Sequence, residues 1–460
     1  MAFDRTDLEL LDQALEVLER GFATLPAVQS SFDRERAKRA LIETAERLQD
    51  NYPYHHPLYV GQMLKPPHPV ARLAYALAMW INPNNHALDG GRASSAMEKE
   101  AVAAIARMFG WETHLGHLCG GGTIANFEAL WVARELSPGK TIAASSQAHY
   151  THRRLSAVLG TEFREIPADA HGRMKLEALE GELASGTVGT VVATLGTTAA
   201  GTVDPLPAIL ELRERHDFRV HVDAAYGGYF TLASNLDPEA RAAFDAIPRT
   251  DSIVVDPHKH GLQPYGCGCV LYRDPAVGRF YRHDSPYTYF TSEDLHLGEI
   301  SLECSRPGAA AVALWTTLRM LPLEAGGEFA RGLEAGREGA LHLHRFLSAD
   351  SRFVPLLEPE LDILVWAVRA PTASLSSAAA RRVFEAAARR DLHLAVAGFP
   401  RVMVEPSGAI PEWDAETVTC LRACAMKPEH LAFAAEIERR LGQAADEALR
   451  EAVPSPGSSG

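Results

Sequence analysis

Positive charge is in short supply in this chain. Lys and Arg number 45 against 59 Asp and Glu, a formal net charge of -14. A surface this acidic lacks the basic stripe that a phosphate backbone attracts, which argues against DNA or RNA as a partner. Long apolar runs are missing too. The most apolar stretch, residues 73–81, is far too short to cross a bilayer, so no membrane insertion is expected. The opening residues, MAFDRTDLELLDQALEVLERGF, lack the basic start and unbroken apolar run of a secretion signal. They are acidic and amphipathic, with Leu11, Leu15 and Leu18 on one face, and a cytoplasmic location is expected. Cysteines are few: Cys119, Cys267, Cys269, Cys304, Cys420 and Cys424. None forms a C-x-x-C pair, and Cys267 and Cys269 sit too close for the usual zinc spacing. Reduced thiols are expected, with no metal site.

What is present is a soluble globular composition, 47% hydrophobic and 23% charged over 460 residues, enough for more than one domain. Residues 4–51 read as helical. Residues 52–69, rich in Pro, His and Tyr, read as an ordered loop. Helical periodicity returns at 70–80, NPNNHALDGG breaks it, and 94–109 forms another helix with Ser95 as its cap and Glu98 near its start. From there strands and helices alternate. VGTVVATL, RVHVD, SIVVD and CVLY are short β-branched or apolar runs, as expected for strands covered on both faces. Such alternation implies an α/β layered fold around a mainly parallel sheet. Beyond about residue 325 come helices and weaker strands, LDILVWAV and RVMVEP, which read as a smaller α+β domain. The division is therefore 1–69, a helical segment; 70–325, a large domain; 326–450, a small C-terminal domain; and 451–460, a flexible tail.

Ligands of α/β sheets sit outside the carboxyl ends of strands. Asp223 ends RVHVD, Asp256 ends SIVVD, and Lys259 follows in DPHKHG. An acid and a lysine emerging from strand ends, 223 and 259 in the chain, suit a carbonyl cofactor held on Lys259 as a Schiff base, with Asp223 beside a protonated ring nitrogen. A structural Lys–Asp ion pair is the alternative. Four further pieces bear on the choice, and each alone has an ordinary structural reading. CGGGTIANFEALWVAR opens a helix with bare backbone N–H groups that suit a phosphate, without the Walker spacing. His149, after a strand, offers a flat ring for stacking. LGTTAAGTVD is a strand end rich in small hydroxyl residues, and His258 adjoins Lys259.

These pieces occur in one order: glycine-rich turn, His149, GTTAAGTVDP, VHVDAAYGGY, VDPHKHG. In that order the chain resembles the group II pyridoxal-phosphate-dependent amino acid decarboxylases, the aromatic amino acid, tyrosine and glutamate decarboxylases. The resemblance runs over about residues 53–321. HHPLYVGQMLKPPHP, NPNN and TSEDLHLGEISLECSRPGAAAVALW look most like the bacterial tyrosine-decarboxylase branch.

The resemblance implies the transferase fold of pyridoxal-phosphate enzymes (fold type I, aspartate-aminotransferase-like), with pyridoxal 5'-phosphate as cofactor. It implies an internal aldimine on Lys259, Asp223 at the pyridine nitrogen, Ala225 under the ring and His149 on its other face. Gly122, Thr123 and His258 would contact the phosphate, with Asp256 and Arg306 assisting, and Thr198 would lie near the ring substituents. The reaction implied is removal of carbon dioxide from an L-amino acid. The proton donor would come from YRHDSPYTYFT, with Tyr287 and Tyr289 as candidates and Phe290 beside both. An aldehyde synthase, an aminotransferase and a carbon–carbon lyase remain alternatives on the same fold. A transaminase needs a small-domain arginine for the α-carboxylate, and Arg401 qualifies by location. Parts of 54–59 and 82–86 are expected to line the substrate pocket. Lys65 and Arg92 are the only cations near it, which favours an aromatic or neutral amino acid. The resemblance also implies a homodimer, with segment 1–69 packing on the partner subunit.

Overall fold

The computed structural model describes residues 4–26, 28, 31–86, 90–282 and 301–450. Eleven strands are described: β1 (Leu115–Cys119), β2 (Thr141–Ser145), β3 (Phe163–Ile166), β4 (Val188–Thr194), β5 (Arg219–Asp223), β6 (Ser252–Val255), β7 (Gly268–Tyr272), β8 (Phe353–Pro355), β9 (Ile363–Val368), β10 (Ala395–Pro400) and β11 (Thr417–Cys424). The first seven form one sheet in the order β1-β7-β6-β5-β4-β2-β3. β7 runs antiparallel to both its neighbours, and the pairs from β6 through β3 are parallel. Every residue of β4 is buried, because helices cover both faces of a parallel sheet and leave no side for water. Its valines each contribute roughly 1.5–3 kcal/mol by leaving water. The α/β architecture and mainly parallel sheet agree with the expectation from the sequence.

The last four strands form a separate antiparallel sheet in the order β10-β11-β9-β8. A second apolar core lies beneath it and takes in Leu58 and Val60 from the loop before the large sheet. The Val60 amide donates to the His393 carbonyl, and the Cys424 amide to Val60. The 52–69 loop is thereby tied to the small sheet.

Several local expectations change. Residues 4–51 form two helices, Asp7–Gly21 and Arg34–Leu48, with Pro26 between them. Neither buries a single residue. The next helix but one begins at Arg92, with Gly91 in the cap position, so Ser95 sits inside it and does not cap it. Glu98 turns into the core instead of facing the helix end. RVMVEP is not a strand: β10 stops at Pro400, paired with Thr417, the first residue of β11. With no ladder left, Arg401–Val404 coils into a helical turn that buries Met403 and Val404. No described helix is long and apolar enough to cross a membrane.

Candidate active site

The carboxyl ends of β1, β4, β5 and β6 converge on a cavity of about 340 Å3. Its walls include Gly122, Thr123, His149, Thr198, Asp223, Ala225, Asp256, His258 and Lys259. Those nine sequence candidates span 138 positions of chain and meet because each follows a strand of one sheet. Arg306 is not among the lining residues. Its guanidinium donates to Glu98 Oε1 at 2.6 Å, the Leu118 carbonyl at 2.5 Å and the Asn85 carbonyl at 3.2 Å. It braces the strand before the glycine turn instead of facing the cavity. Tyr287 and Tyr289 lie outside the described residues.

The glycine turn is shaped by close approach. Gly121 takes φ 146°, a conformation open to glycine, and starts the helix Gly122–Leu136. A Cβ on Gly122 would lie 2.7 Å from Asp256 Oδ2, so no side chain fits there. Asn126, one turn into that helix, donates to the Gly122 carbonyl at 2.8 Å and accepts from His221 Nε2 at 2.9 Å. His221 Nδ1 in turn meets Ser252 Oγ at 2.9 Å. A buried polar chain thus locks the turn to β5 and β6.

Asp223 closes β5, where the Ala225 amide donates to Oδ1 at 3.1 Å. The imidazole of His152 meets Oδ2 at 2.8 Å. Burial pushes this carboxyl up. The His152 hydrogen bond, the positive field of Lys259 and the Ala225 amide outweigh that and hold it well below the usual carboxylate range. Lys259 Nζ lies 3.0 Å from Asp256 Oδ2. The Asp256 Oδ1 atom and the Thr194 hydroxyl are buried without a hydrogen-bond partner among the described residues, and both residues line the cavity. Unpaired polar atoms of this kind mark a place for a polar ligand. His258 donates through Nδ1 to the Cys267 carbonyl, 2.7 Å away, and its Nε2 stands 3.5 Å from Asp256. His149 is fixed by Thr151, whose hydroxyl lies 2.7 Å from Nδ1. Burial lowers the pKa of both imidazoles, so each is neutral near pH 7.

The small sheet reaches the same rim. Arg422 on β11 donates to the carbonyls of Thr198 at 2.7 Å and Ala199 at 2.9 Å. Asp362, just before β9, accepts from Tyr226 at 2.5 Å and pairs with His260, the residue after Lys259, at 3.3 Å. Sequence reasoning missed His152 and Arg422. The only sequence signal for His152 was its i+3 spacing from His149. For Arg422 there was a lone basic residue in an apolar strand. Arg401, the arginine singled out, is exposed and pairs with Glu405. Residues 54–59 and 82–86 do not line this cavity, and Lys65 opens on a second one with His55 and His260.

These residues fit pyridoxal phosphate: a lysine, a buried anionic carboxylate, a glycine turn at a helix N-terminus and a neutral ring converge on one cavity. Comparison with known proteins agrees. The pyridoxal-dependent decarboxylase conserved domain matches residues 54–368. The L-tyrosine decarboxylase of Enterococcus faecium is 29% identical over 443 residues, covering 72% of each chain. The crystal structure of mouse CSAD superposes with a TM-score of 0.76 at 22% identity, over 93% of this chain and 91% of that one. That of Oryza sativa TDC with PLP and tryptamine gives 0.75 at 19%, over 97% and 99%. At such identities the two structures speak for the fold alone. The family match and the Enterococcus relative bear out the tyrosine-decarboxylase-like resemblance read from the sequence. This chain belongs to the pyridoxal-dependent decarboxylase family, and is an enzyme that uses pyridoxal 5'-phosphate to remove carbon dioxide from an amino acid.

Proposed function

We propose that the substrate is an aromatic or neutral L-amino acid and that the product is the corresponding amine. The observation that carries this reading is the charge of the cavity wall. Among the described lining residues Lys259 is the only lysine or arginine, while Ile124, Tyr226 and Tyr265 supply apolar and aromatic surface. A second carboxylate on the substrate would find no free lysine or arginine among those described residues.

The residue roles belong to the same proposal. Lys259 would hold the cofactor through its amine. Gly122, Thr123 and His258 would hold the phosphate, with Asp256 fixing Lys259 and His258. Ala225 and His149 would hold the ring between them, with Thr198 at its border. Asp223 keeps a negative charge beside the ring nitrogen. When bound, pyridoxal phosphate supplies an electron-poor ring that takes up the electron pair left behind by carbon dioxide. The protein's part is to hold that ring rigidly, keep Asp223 anionic and exclude water. Tyr287 and Tyr289 remain the candidates for returning the proton.

The working unit in this reading is a cytoplasmic homodimer. The two N-terminal helices support it: they bury nothing in the isolated chain, yet expose Leu8, Leu10, Val17, Leu41, Ile42 and Leu48. Apolar surface of that extent asks for a partner. Six free cysteines support a reducing compartment.

The test is mass spectrometry of products after the pyridoxal-phosphate-loaded protein meets a mixture of the common amino acids. An amine lighter than an aromatic or neutral substrate by carbon dioxide is the expected result. Turnover of an acidic amino acid alone would overturn the substrate class; an aldehyde or keto acid would overturn the product.

A further inference from the structure

We propose that His152 is a positioning residue for Asp223, fixing the plane and the charge of the carboxylate that faces the cofactor ring. The inference rests on the role given to Asp223 above. His152 is wholly buried, and its Nε2 lies 2.8 Å from Asp223 Oδ2. Its other nitrogen, Nδ1, is buried with no hydrogen-bond partner among the described residues. That asymmetry sets the direction of the bond. A proton on Nδ1 would be a buried N–H with nothing among the described residues to accept it, whereas a proton on Nε2 points at a carboxylate oxygen. His152 is therefore the donor through Nε2, and Asp223 Oδ2 the acceptor.

The geometry is a clamp. The Ala225 amide holds Oδ1 from one side and His152 holds Oδ2 from the other, so the carboxylate cannot turn about its last bond. The neighbouring His221, two residues earlier on β5, is spent on Asn126 and Ser252 and makes no such contact. Among the described residues, Asp223 is the only side-chain hydrogen-bond partner of the His152 ring, and a leucine there would strand no Nδ1. His149 and His152 also share one helical start, three residues apart, ahead of and within Thr151–Val158. One turn of chain thereby delivers a ring to the cavity wall and a donor to the carboxylate beside it.

The experiment compares His152→Gln, His152→Asn and His152→Leu in the full-length protein. A glutamine amide nitrogen can take the place of Nε2; that of asparagine corresponds to Nδ1 and falls short of Asp223. Three readouts are taken: the dissociation constant for pyridoxal phosphate, the circular dichroism of the bound cofactor, and kcat and KM separately. His152→Asn and His152→Leu are expected to weaken cofactor binding and to lower kcat by roughly tenfold each, the weight of one hydrogen bond to a charged group, with KM little changed. His152→Gln is expected to stay within about threefold of the parent on the same scale. Equal losses in the Gln and Asn variants, or unchanged cofactor affinity and dichroism in both, would overturn the proposal. If His152→Leu does not fold, the Gln–Asn contrast still decides. Failure of the unaltered protein to take up pyridoxal phosphate would instead overturn the cofactor site itself.

Discussion

Lys259 Nζ and Asp256 Oδ2 lie 3.0 Å apart, joined across a single turn that begins where β6 ends. Asp256 is 2% exposed, while the lysine is only partly covered and faces the cavity. A buried carboxylate with one oxygen unpaired among the described residues thus holds the amine at the mouth of the site.

Lys259→Ala should abolish the visible absorbance of covalently held pyridoxal phosphate and reduce turnover by on the order of a thousandfold or more. Absorption spectra of the loaded variant, with and without borohydride, check this. A retained, borohydride-reducible chromophore would move the covalent anchor to another residue.

Gly122→Ala places a methyl group 2.7 Å from Asp256 Oδ2, inside van der Waals contact. Overpacking of this sort costs about 1–3 kcal/mol. The variant should fold with a lower unfolding midpoint and a weaker grip on cofactor. Equilibrium dialysis of pyridoxal phosphate against the variant is the measurement, and parental affinity would show that the turn yields easily.

Arg422→Met removes the donors to the Thr198 and Ala199 carbonyls. Hydrogen bonds to a buried charged group contribute about 1.5–3 kcal/mol each, and the two carbonyls would lose their partner together. Denaturant unfolding should show a fall of that order or more. An unchanged midpoint would mean that the tie between the small sheet and the cavity rim carries no stability.

Burial holds the imidazoles of His221 and His430 to about 3. In the unfolded chain each titrates near 6.5, so between about pH 6.5 and 3 the unfolded state binds protons that the folded state refuses. Stability is full above that window and falls as pH drops through it, by at most about 1.4 kcal/mol per pH unit for each histidine. Denaturation midpoints at pH 7.5 and 5.5 test the sign, and His430→Gln should flatten the slope.

Leu41→Asp in the second N-terminal helix, 69% exposed in the isolated chain, should shift a dimer toward monomer without lowering monomer stability. Sedimentation velocity reads the outcome. A parent protein that sediments as a monomer would remove the homodimer from the proposal.

The sequence by itself determined the sheet and its ligand-bearing ends. RVHVD and SIVVD are legible because a strand covered on both faces must be apolar until it emerges, and the charged residue that ends the run marks the emergence. Asp223 and Lys259 follow from that rule, and the glycine turn from the demand for bare backbone at a helix start. Tertiary structure decided what lies across the sheet. His152 reads locally as one more polar residue of a short helix; only the tertiary placement of that helix start at the end of β5 brings its ring onto Asp223. Arg306 reads as an aid at the phosphate, yet Glu98, from a helix far back in the chain, claims it. Arg422 finds its carbonyls 224 and 223 positions away. The strand at 395–400 displaced the one expected at 401–406 because β11 ends its ladder at Thr417. Periodicity and composition report a residue's own element, whereas the partner of a buried polar group is set by the register between elements, which no local pattern encodes.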